Sequence, residues 1–558
     1  MKQSSIPFRL FLCLSAVHWL WSGRPQALQA AGPPDQLPAV SCAQFLAPKR
    51  NANGKTVGQE DCRMQDAGVV DPRKYHRIEM GITGTLAGWI VKEGARSNHF
   101  TSAPDFVYTQ MGNNRPRFHG VLRYEGSKGT SLTLLYPETG WNGKLFVMVH
   151  GVGGSFLKGT MKPWDRYFDP SKPMDDVTKY EKAMLAKGYA VARTRRNADR
   201  ETPGDYTATL DNGEEWPGQN INQNPELILD MAKLVKNFLK DRLGRDVSRA
   251  YWYGHSAGAH LGLLVNYMPE ANQEGNGKTT IDGFLADDPG GGLYVPILMR
   301  NGQDILFRTP EEKAKFIKTI EIAHQLYPAY YSKETPWEME LKTIPKFISP
   351  IYLANKRTGA RVFKEKGLDS RFRMYEVKGV SHNGGEDLEN GKRGDIEILD
   401  LSRLIDGAID LLDNWVDKGI EPPATKSDSP GLSGKKDSLD LPETACPLGV
   451  YFPYPPLHSV GGVGMTGFAA FDGAGLEPVD GRMVFVDMNA NGRRDKRETL
   501  TQAWRRLGLL KPDETFQRAK YVACVQETAA KLRKENFITE KVADQYVQEA
   551  AKKELPEK

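Results

Sequence analysis

The sequence predicts an α/β fold: a mostly parallel sheet covered by helices on both faces, followed by a smaller C-terminal domain. Three observations point there. From Lys144 onward, short and nearly continuous apolar runs alternate with helical segments, as a sheet buried on both faces requires. One of those runs passes through a turn of small residues straight into a helix, between Tyr251 and Asn266. A polar stretch rich in Pro, Ser, Gly and Lys, 421–445, then separates the last helix of this region from the C-terminal residues.

Bulk properties agree with a folded chain of two or three domains. The protein has 558 residues with 55 Gly and 35 Pro, 39% hydrophobic and 26% charged, which excludes collagen, coiled coil and a disordered tail. The formal charge is +5, but residues 1–30 hold Lys2, Arg9 and Arg24 and no acid; without them 72 bases face 70 acids. A balance of +2 gives no electrostatic footprint for nucleic acid.

Residues 1–30 read as an export signal. Lys2 and Arg9 flank the apolar stretch Leu10 to Trp21, and Pro25 and a small-residue site near Ala30 follow. The apolar run is too short for a stable membrane span, so the mature chain is expected to have no transmembrane segment and to be secreted or periplasmic. Loss of Cys13 with the signal leaves Cys42, Cys62, Cys446 and Cys524, an even number that suggests disulfides. Of the three pairings, Cys42–Cys62 and Cys446–Cys524 are favoured, because each closes a local loop within one segment. No C-x-x-C motif is present.

In chain order, 31–75 reads as a disulfide-closed N-terminal extension, and 76–420 as the main domain. About His76 to Gly140 alternates apolar and polar residues between glycine turns, predicting antiparallel strands. The parallel strands are expected at Leu145–Val149, Tyr189–Ala192, Ala250–Tyr253, Ile281–Ala286, Pro350–Leu353 and Phe372–Val377. A helix starts at the cap Asn224 with Pro225 at its first position, carries Leu227, Met231, Leu234 and Phe238 on one face, and stops at Gly244. Another, Ile396 to Trp415, closes the domain. Residues 421–445 read as a linker and 446–558 as an accessory domain.

The chemistry begins at Gly254-His255-Ser256-Ala257-Gly258, a G-x-S-x-G turn between a strand and the helical Ala259–Asn266. Small residues permit a sharp turn that lifts the serine hydroxyl above the sheet edge, with the N–H of Ala257 aimed at a developing oxyanion. About a hundred residues earlier, the strand Leu145–Val149 runs into His150-Gly151-Val152-Gly153-Gly154-Ser155. This is similar to the H-G-G-G loop of lipases and esterases, and Val152 or Gly153 would be the second oxyanion donor.

With these two motifs the chain resembles the α/β-hydrolase superfamily over roughly residues 110 to 418. The resemblance implies an eight-stranded, mostly parallel sheet and the chain order nucleophile, acid, histidine. Four histidines follow Ser256. His260 lies on the helix behind the turn, His324 in an expected helical insertion and His458 beyond the linker. His382, in a glycine-bounded loop after the last strand, stands where the family keeps its base. The acid departs from the usual pattern, since Ala354 to Arg361, after the run taken as strand seven, contains no Asp or Glu. Pancreatic lipases carry it after strand six, where this chain has Asp287-Asp288-Pro289. Asp288 is therefore the expected acid, with Asp287 close behind, Asp369 and Glu376 less favoured on position, and Asp304 an option if the strand count is off by one. Without a carboxylate the site would be a dyad and slow.

Two further features stand out. An insertion at about 291–344 containing Tyr327, Tyr330, Tyr331 and Trp337 is expected to cap the pocket, and Trp216 marks another wall. In the C-terminal region, Asp487, Asn489, Asn491, Gly492, the Arg493 carbonyl, Asp495 and Glu498 fit an EF-hand-like calcium loop at every defined position. The strand-like Met483–Val486 before it and Arg494 within it depart from that motif, and Thr499 to Leu510 is the expected outgoing helix. A structural Ca²⁺ is implied, with no cofactor for catalysis. The segments Cys446 to Tyr451 and Ala503 to Leu510 look like tails of exported bacterial α/β hydrolases.

The expected function is an exported serine hydrolase that cleaves carboxylic esters of a small-molecule or polymeric substrate through Ser256, His382 and Asp288. A peptidase or amidase of the same fold, or an inactive binding protein, are the rival readings.

Overall fold

A computed structural model describes residues 40–46, 49–50, 56–57, 61–69, 75–94, 106–110, 116–150, 178–195, 206–209, 215–217, 225–266, 272–274, 277–289, 298–300, 303–304, 306–326, 350–381, 392–393, 396–397, 399–452, 467–470 and 499–555. The expected signal peptide, the Val152–Gly153 loop, His382, the four cap aromatics and the calcium loop lie outside them.

The main strands are β1 (Asp61–Val69), β2 (Tyr75–Gly94), β3 (Pro116–Pro137), β4 (Lys144–His150), β5 (Ala190–Arg195), β6 (Arg249–His255), β7 (Gly283–Asp287), β8 (Lys318–Leu326) and β9 (Phe372–Ser381). Their spatial order is β1-β2-β3-β5-β4-β6-β7-β8-β9. The six strands from β5 to β9 in that order run parallel, while β3 is antiparallel to β5, β2 to β3 and β1 to β2. Counted from β2, the eight-strand order 1-2-4-3-5-6-7-8 fits the α/β-hydrolase arrangement. It reverses direction around β4 and β6, and in open α/β sheets ligands bind outside the carboxyl ends of strands at such a point.

The helices that flank the sheet are α1 (Lys179–Ala186), α2 (Pro225–Leu243), α3 (Ala257–Val265), α4 (Pro350–Glu365), α5 (Ser402–Lys418), α6 (Leu500–Arg506), α7 (Arg518–Lys534) and α8 (Glu540–Lys552). Alternation along the strands divides the core in two. Val147, Val149, Trp252, Phe284 and Phe372 pack with Met231, Leu234 and Phe238 of α2, and with α3 and α4. Phe146, Met148, Tyr251, Tyr253, Leu285, Ile320 and Ile322 face the other way, toward α1 and α5. That second cluster continues into Val525, Ala529 and Leu532 of α7 and Ala543 and Tyr546 of α8.

Five expectations need correction. The seventh strand of the eight is Lys318–Leu326, and Pro350–Leu353 is the first turn of the 16-residue helix α4. Pro350 there occupies a helix's first turn, where its missing N–H costs no hydrogen bond. The interval 291–344 is therefore not one cap insertion, since it contains the short strands Leu298–Arg300 and Gln303–Asp304, the helix Pro310–Ala314 and β8. His324 sits on β8 rather than in a helical insertion. The closing helix begins at Ser402 rather than Ile396, because 396–397 form a two-residue strand with 392–393.

Residues 421–445 are no free linker. Lys426 and Leu439 bridge in parallel to Tyr375 and Val377 of β9, with backbone bonds of 2.7–2.9 Å from Glu376 N–H to Lys426 O, Lys426 N–H to Met374 O, Lys378 N–H to Leu439 O and Leu439 N–H to Glu376 O. Edge backbone of a sheet needs partners, and this polar segment supplies them. Lys426 Nζ then ties the strap to Asp437 at 2.9 Å and Glu535 at 2.8 Å. The two favoured cysteine pairs stand at bonding distance, Cys42 with Cys62 and Cys446 with Cys524. Among the described residues no helix is long and apolar enough to cross a membrane.

Candidate active site

Ser256 leaves β6 at φ 54°, one of four described non-glycine residues with positive φ. An L-residue held there stores about 1–3 kcal/mol, so the surroundings must over-determine the turn. They do. A Cβ on Gly254 would lie 2.4 Å from the Gly258 carbonyl carbon, and one on Gly258 would lie 2.0 Å from the Val149 carbonyl oxygen of β4. Both glycines of the motif are thus required by packing, with α3 folded back against β6 and β4. The Ser256 N–H donates to the Asp287 carbonyl at 3.0 Å, and the Trp252 indole N–H donates to the Gly258 carbonyl at 3.2 Å. Ala257 begins α3, so its N–H belongs to the first turn, whose amides have no carbonyl partner within the helix.

The register between β6 and β7 places His255 opposite Asp287, and β4 ends beside the same point, with Val149 opposite Gly254. Three carboxyl ends therefore converge: that of β4, which leads to the Val152–Gly153 loop; that of β6, which carries Ser256; and that of β7, which carries Asp287 and Asp288. On the far side, Ser381 pairs with Leu326, so His382 follows the carboxyl end of β9 directly.

Both aspartates are buried, at 3% and 1% exposure. The Tyr253 hydroxyl donates to Asp287 Oδ2 at 2.8 Å. His324 Nε2 lies 3.1 Å from Asp287 Oδ1, an ion-pair distance without hydrogen-bond alignment, and its Nδ1 lies 3.7 Å from Asp288 Oδ2. Asp288, itself at φ 42°, accepts the His324 backbone N–H at 2.8 Å on Oδ1 and forms an ion pair with the buried Lys356 of α4. Burial alone would raise the Asp287 carboxyl, but the contact with His324, the charge of His255 and the Tyr253 hydroxyl hold it below the usual carboxylate value. Burial would lower His324, yet the charges of Asp288 and Asp287 outweigh it and raise the imidazole. Glu321 of β8 is pushed up to about 8, chiefly by burial, with Lys356 opposing and Asp288 adding to the rise; its Oε1 has no hydrogen-bond partner among the described residues.

The less favoured acids fall elsewhere. Glu376 is enclosed by Arg357 Nη2 at 2.6 Å, Gln325 at 2.6 Å and the Ser427 hydroxyl at 2.7 Å, an arrangement that fastens the strap to β9. Asp369 is exposed in the turn before β9, at the amino end of the sheet. Asp304 lies on a two-residue strand paired with Met299. His260 lies on α3. Sequence reasoning missed Lys356 and Glu321 altogether, and gave His324 no role, because β8 was not recognised as a strand. The readable signal was the β-branched alternation of Ile320 and Ile322.

No family model and no curated protein sequence matches the chain. Among solved structures, an arylesterase superposes with TM-score 0.25 at 11% identity, over 46% of this chain and 74% of its own. A Pyrobaculum calidifontis esterase gives 0.24 at 14%, over 50% and 76%, and carboxyl esterase 2 from the mycorrhizal fungus Tuber melanosporum gives 0.25 at 14%, over 53% and 83%. The order of the strands and the geometry around Ser256, rather than these likenesses, carry the functional reading.

Proposed function

We propose that the protein is a serine hydrolase of carboxylic esters, with Ser256 as nucleophile, His382 as general base and Asp288, or its neighbour Asp287, as the orienting acid. The observation that carries this reading is the strained turn at Ser256, over-determined by Gly254 and Gly258 at the switch point of the sheet. A strain of this kind persists where it is used, and here it projects a hydroxyl at the carboxyl edge.

In this mechanism Ser256 Oγ adds to the ester carbonyl as His382 takes its proton. The amides of Ala257 and of Val152 or Gly153 donate to the oxyanion. Collapse expels the alcohol, which receives that proton from His382, and leaves an acyl group on Ser256. Water, deprotonated by the same histidine, then releases the carboxylic acid and restores the serine.

Rapid mixing with a p-nitrophenyl ester should release a burst of p-nitrophenol matching the amount of enzyme, with the acyl mass on the Ser256 peptide. Ser256→Ala should show neither. Hydrolysis of anilides at comparable rates would instead identify an amidase, and a folded protein inert to both would identify a binding protein.

Two accessory features belong to the same proposal. Residues 1–30 direct export, which accords with two cysteine pairs at bonding distance. A calcium ion would be held by Asp487, Asn489, Asn491, the Arg493 carbonyl, Asp495 and Glu498, an all-oxygen donor set suited to a hard cation. It would order the loop ahead of α6, whose capping box at Thr499 starts one residue after Glu498.

A further inference from the structure

Asp287 and Asp288 place two carboxylates one residue apart at the end of a buried strand. Like charges that close resist joint ionisation unless cations stand beside them. Two elements supply basic side chains. From β8, His324 presents Nε2 to Asp287 at 3.1 Å and Nδ1 to Asp288 at 3.7 Å; from α4, Lys356 is ion-paired with Asp288 and is itself 1% exposed. Among the described residues, Tyr253 and His255 of β6 and Glu321 of β8 also face the pair. Burial keeps Glu321 mostly protonated at neutral pH, so it adds little negative charge.

A buried ion cluster is a poor source of stability, because desolvation offsets most of the attraction and well-packed apolar residues do as well. Its location is more telling. The first of the two residues that bear the carboxylates adjoins the proposed nucleophile: the Asp287 carbonyl accepts the Ser256 N–H, and Asp287 is in register with His255. Moreover, Asp288 Oδ1 is bound on two sides, by the His324 backbone N–H and by Lys356, which fixes the plane of its carboxyl.

We propose, resting on the serine-hydrolase reading, that Lys356 and His324 are positioning residues that keep the Asp287–Asp288 pair ionised and fixed in orientation behind Ser256. The carboxylate that serves the catalytic histidine is thereby a charged, immobile acceptor. Removing Lys356 withdraws positive charge from both the carboxylate and the histidine it orients, and removing His324 takes a basic ring from beside both aspartates; the acids then bind protons more tightly.

The test is the pH dependence of the rate at which a fluorophosphonate probe labels Ser256 in the full chain. In Lys356→Met the acidic limb should move up by about 1 pH unit or more, within the range by which a neighbouring opposite charge shifts a carboxyl. Lys356→Arg, which retains the charge, should restore the limb to within a few tenths of a unit. His324→Gln, which keeps a hydrogen-bonding side chain without the basic ring, should move it in the same direction and serves if Lys356→Met fails to fold. A merely structural role would lower the rate at every pH and leave the limb in place; that result in a folded variant overturns the proposal. Absence of label from the wild-type protein would instead overturn the hydrolase reading itself, so the two failures are told apart.

Discussion

At Ser256 the backbone itself departs from the ordinary, and the residues around it explain why it must. Of the two glycines of the turn Gly258 has less room, since any Cβ there meets the Val149 carbonyl oxygen at 2.0 Å. Gly258→Ala should therefore lose labelling at Ser256 and lower stability in urea unfolding by about 1–3 kcal/mol, the cost of forced overpacking. Glu321 yields a second prediction. Its carboxyl titrates near 4.5 in the unfolded chain and at about 8 in the fold, so between those values the native state holds a proton the unfolded state has lost. Stability from this group is present below pH 4.5 and falls away as pH rises to 8. In Glu321→Gln that decline is absent, and the melting temperature of the variant should gain on the wild type progressively from pH 5 to pH 8. At this scale the sharp turn at Ser256 was legible in sequence, because glycine and serine spacing encodes a steric requirement. The partners of Asp288 were not, since its contacts with His324 of β8 and Lys356 of α4 depend on which strand and helix pack beside β7, and no local pattern records that.

Elements were legible where one periodicity dominated. Helix α2 was readable from Pro225 and the spacing of Met231, Leu234 and Phe238, all buried in the fold. Strand β8 was missed because Thr319, Glu321 and His324 interrupt its apolar run, yet all three are buried with it. The apolar Pro350–Leu353 misled for the opposite reason, being the start of a helix rather than a strand. The strap at 421–445 was misread because polar composition serves a sheet edge as well as a linker. Two predictions belong here. Replacing Cys446 and Cys524 together by Ser opens a loop spanning 78 residues and should cost about 2–5 kcal/mol in chemical unfolding. Chelation of calcium should lower the melting temperature of the wild type, and Asp487→Ala should show the lower value without chelator; an unchanged melting temperature would count against the metal site.

On the scale of the whole molecule, the C-terminal helices complete the core that they were expected to accompany. A Cβ on Gly407 of α5 would stand 1.9 Å from the Phe537 carbonyl oxygen in the turn between α7 and α8, and the Phe537 ring meets Tyr375 of β9 edge-on at 4.7 Å between centroids. The α5 face is thus covered by α7 and α8, and a chain ending at 445 would expose it. Such a truncation should fail to yield soluble, cooperatively unfolding protein; a stable fragment that melts cooperatively would show that 446–558 is a separable domain after all. The overall class, parallel strands with helices on both faces, was readable because continuous apolar runs are a global property of a doubly covered sheet. The intimacy of the C-terminal packing was not, because it is written in single small residues such as Gly407.

The central claim is that the turn at Ser256 holds an activated nucleophile. Purified full chain should be treated with a fluorophosphonate probe and the label located by peptide mapping, beside Ser256→Ala. Covalent label on Ser256 of the wild type, absent from the variant, is the predicted result. A folded wild-type protein that takes no label, or takes it equally in Ser256→Ala, would contradict the claim.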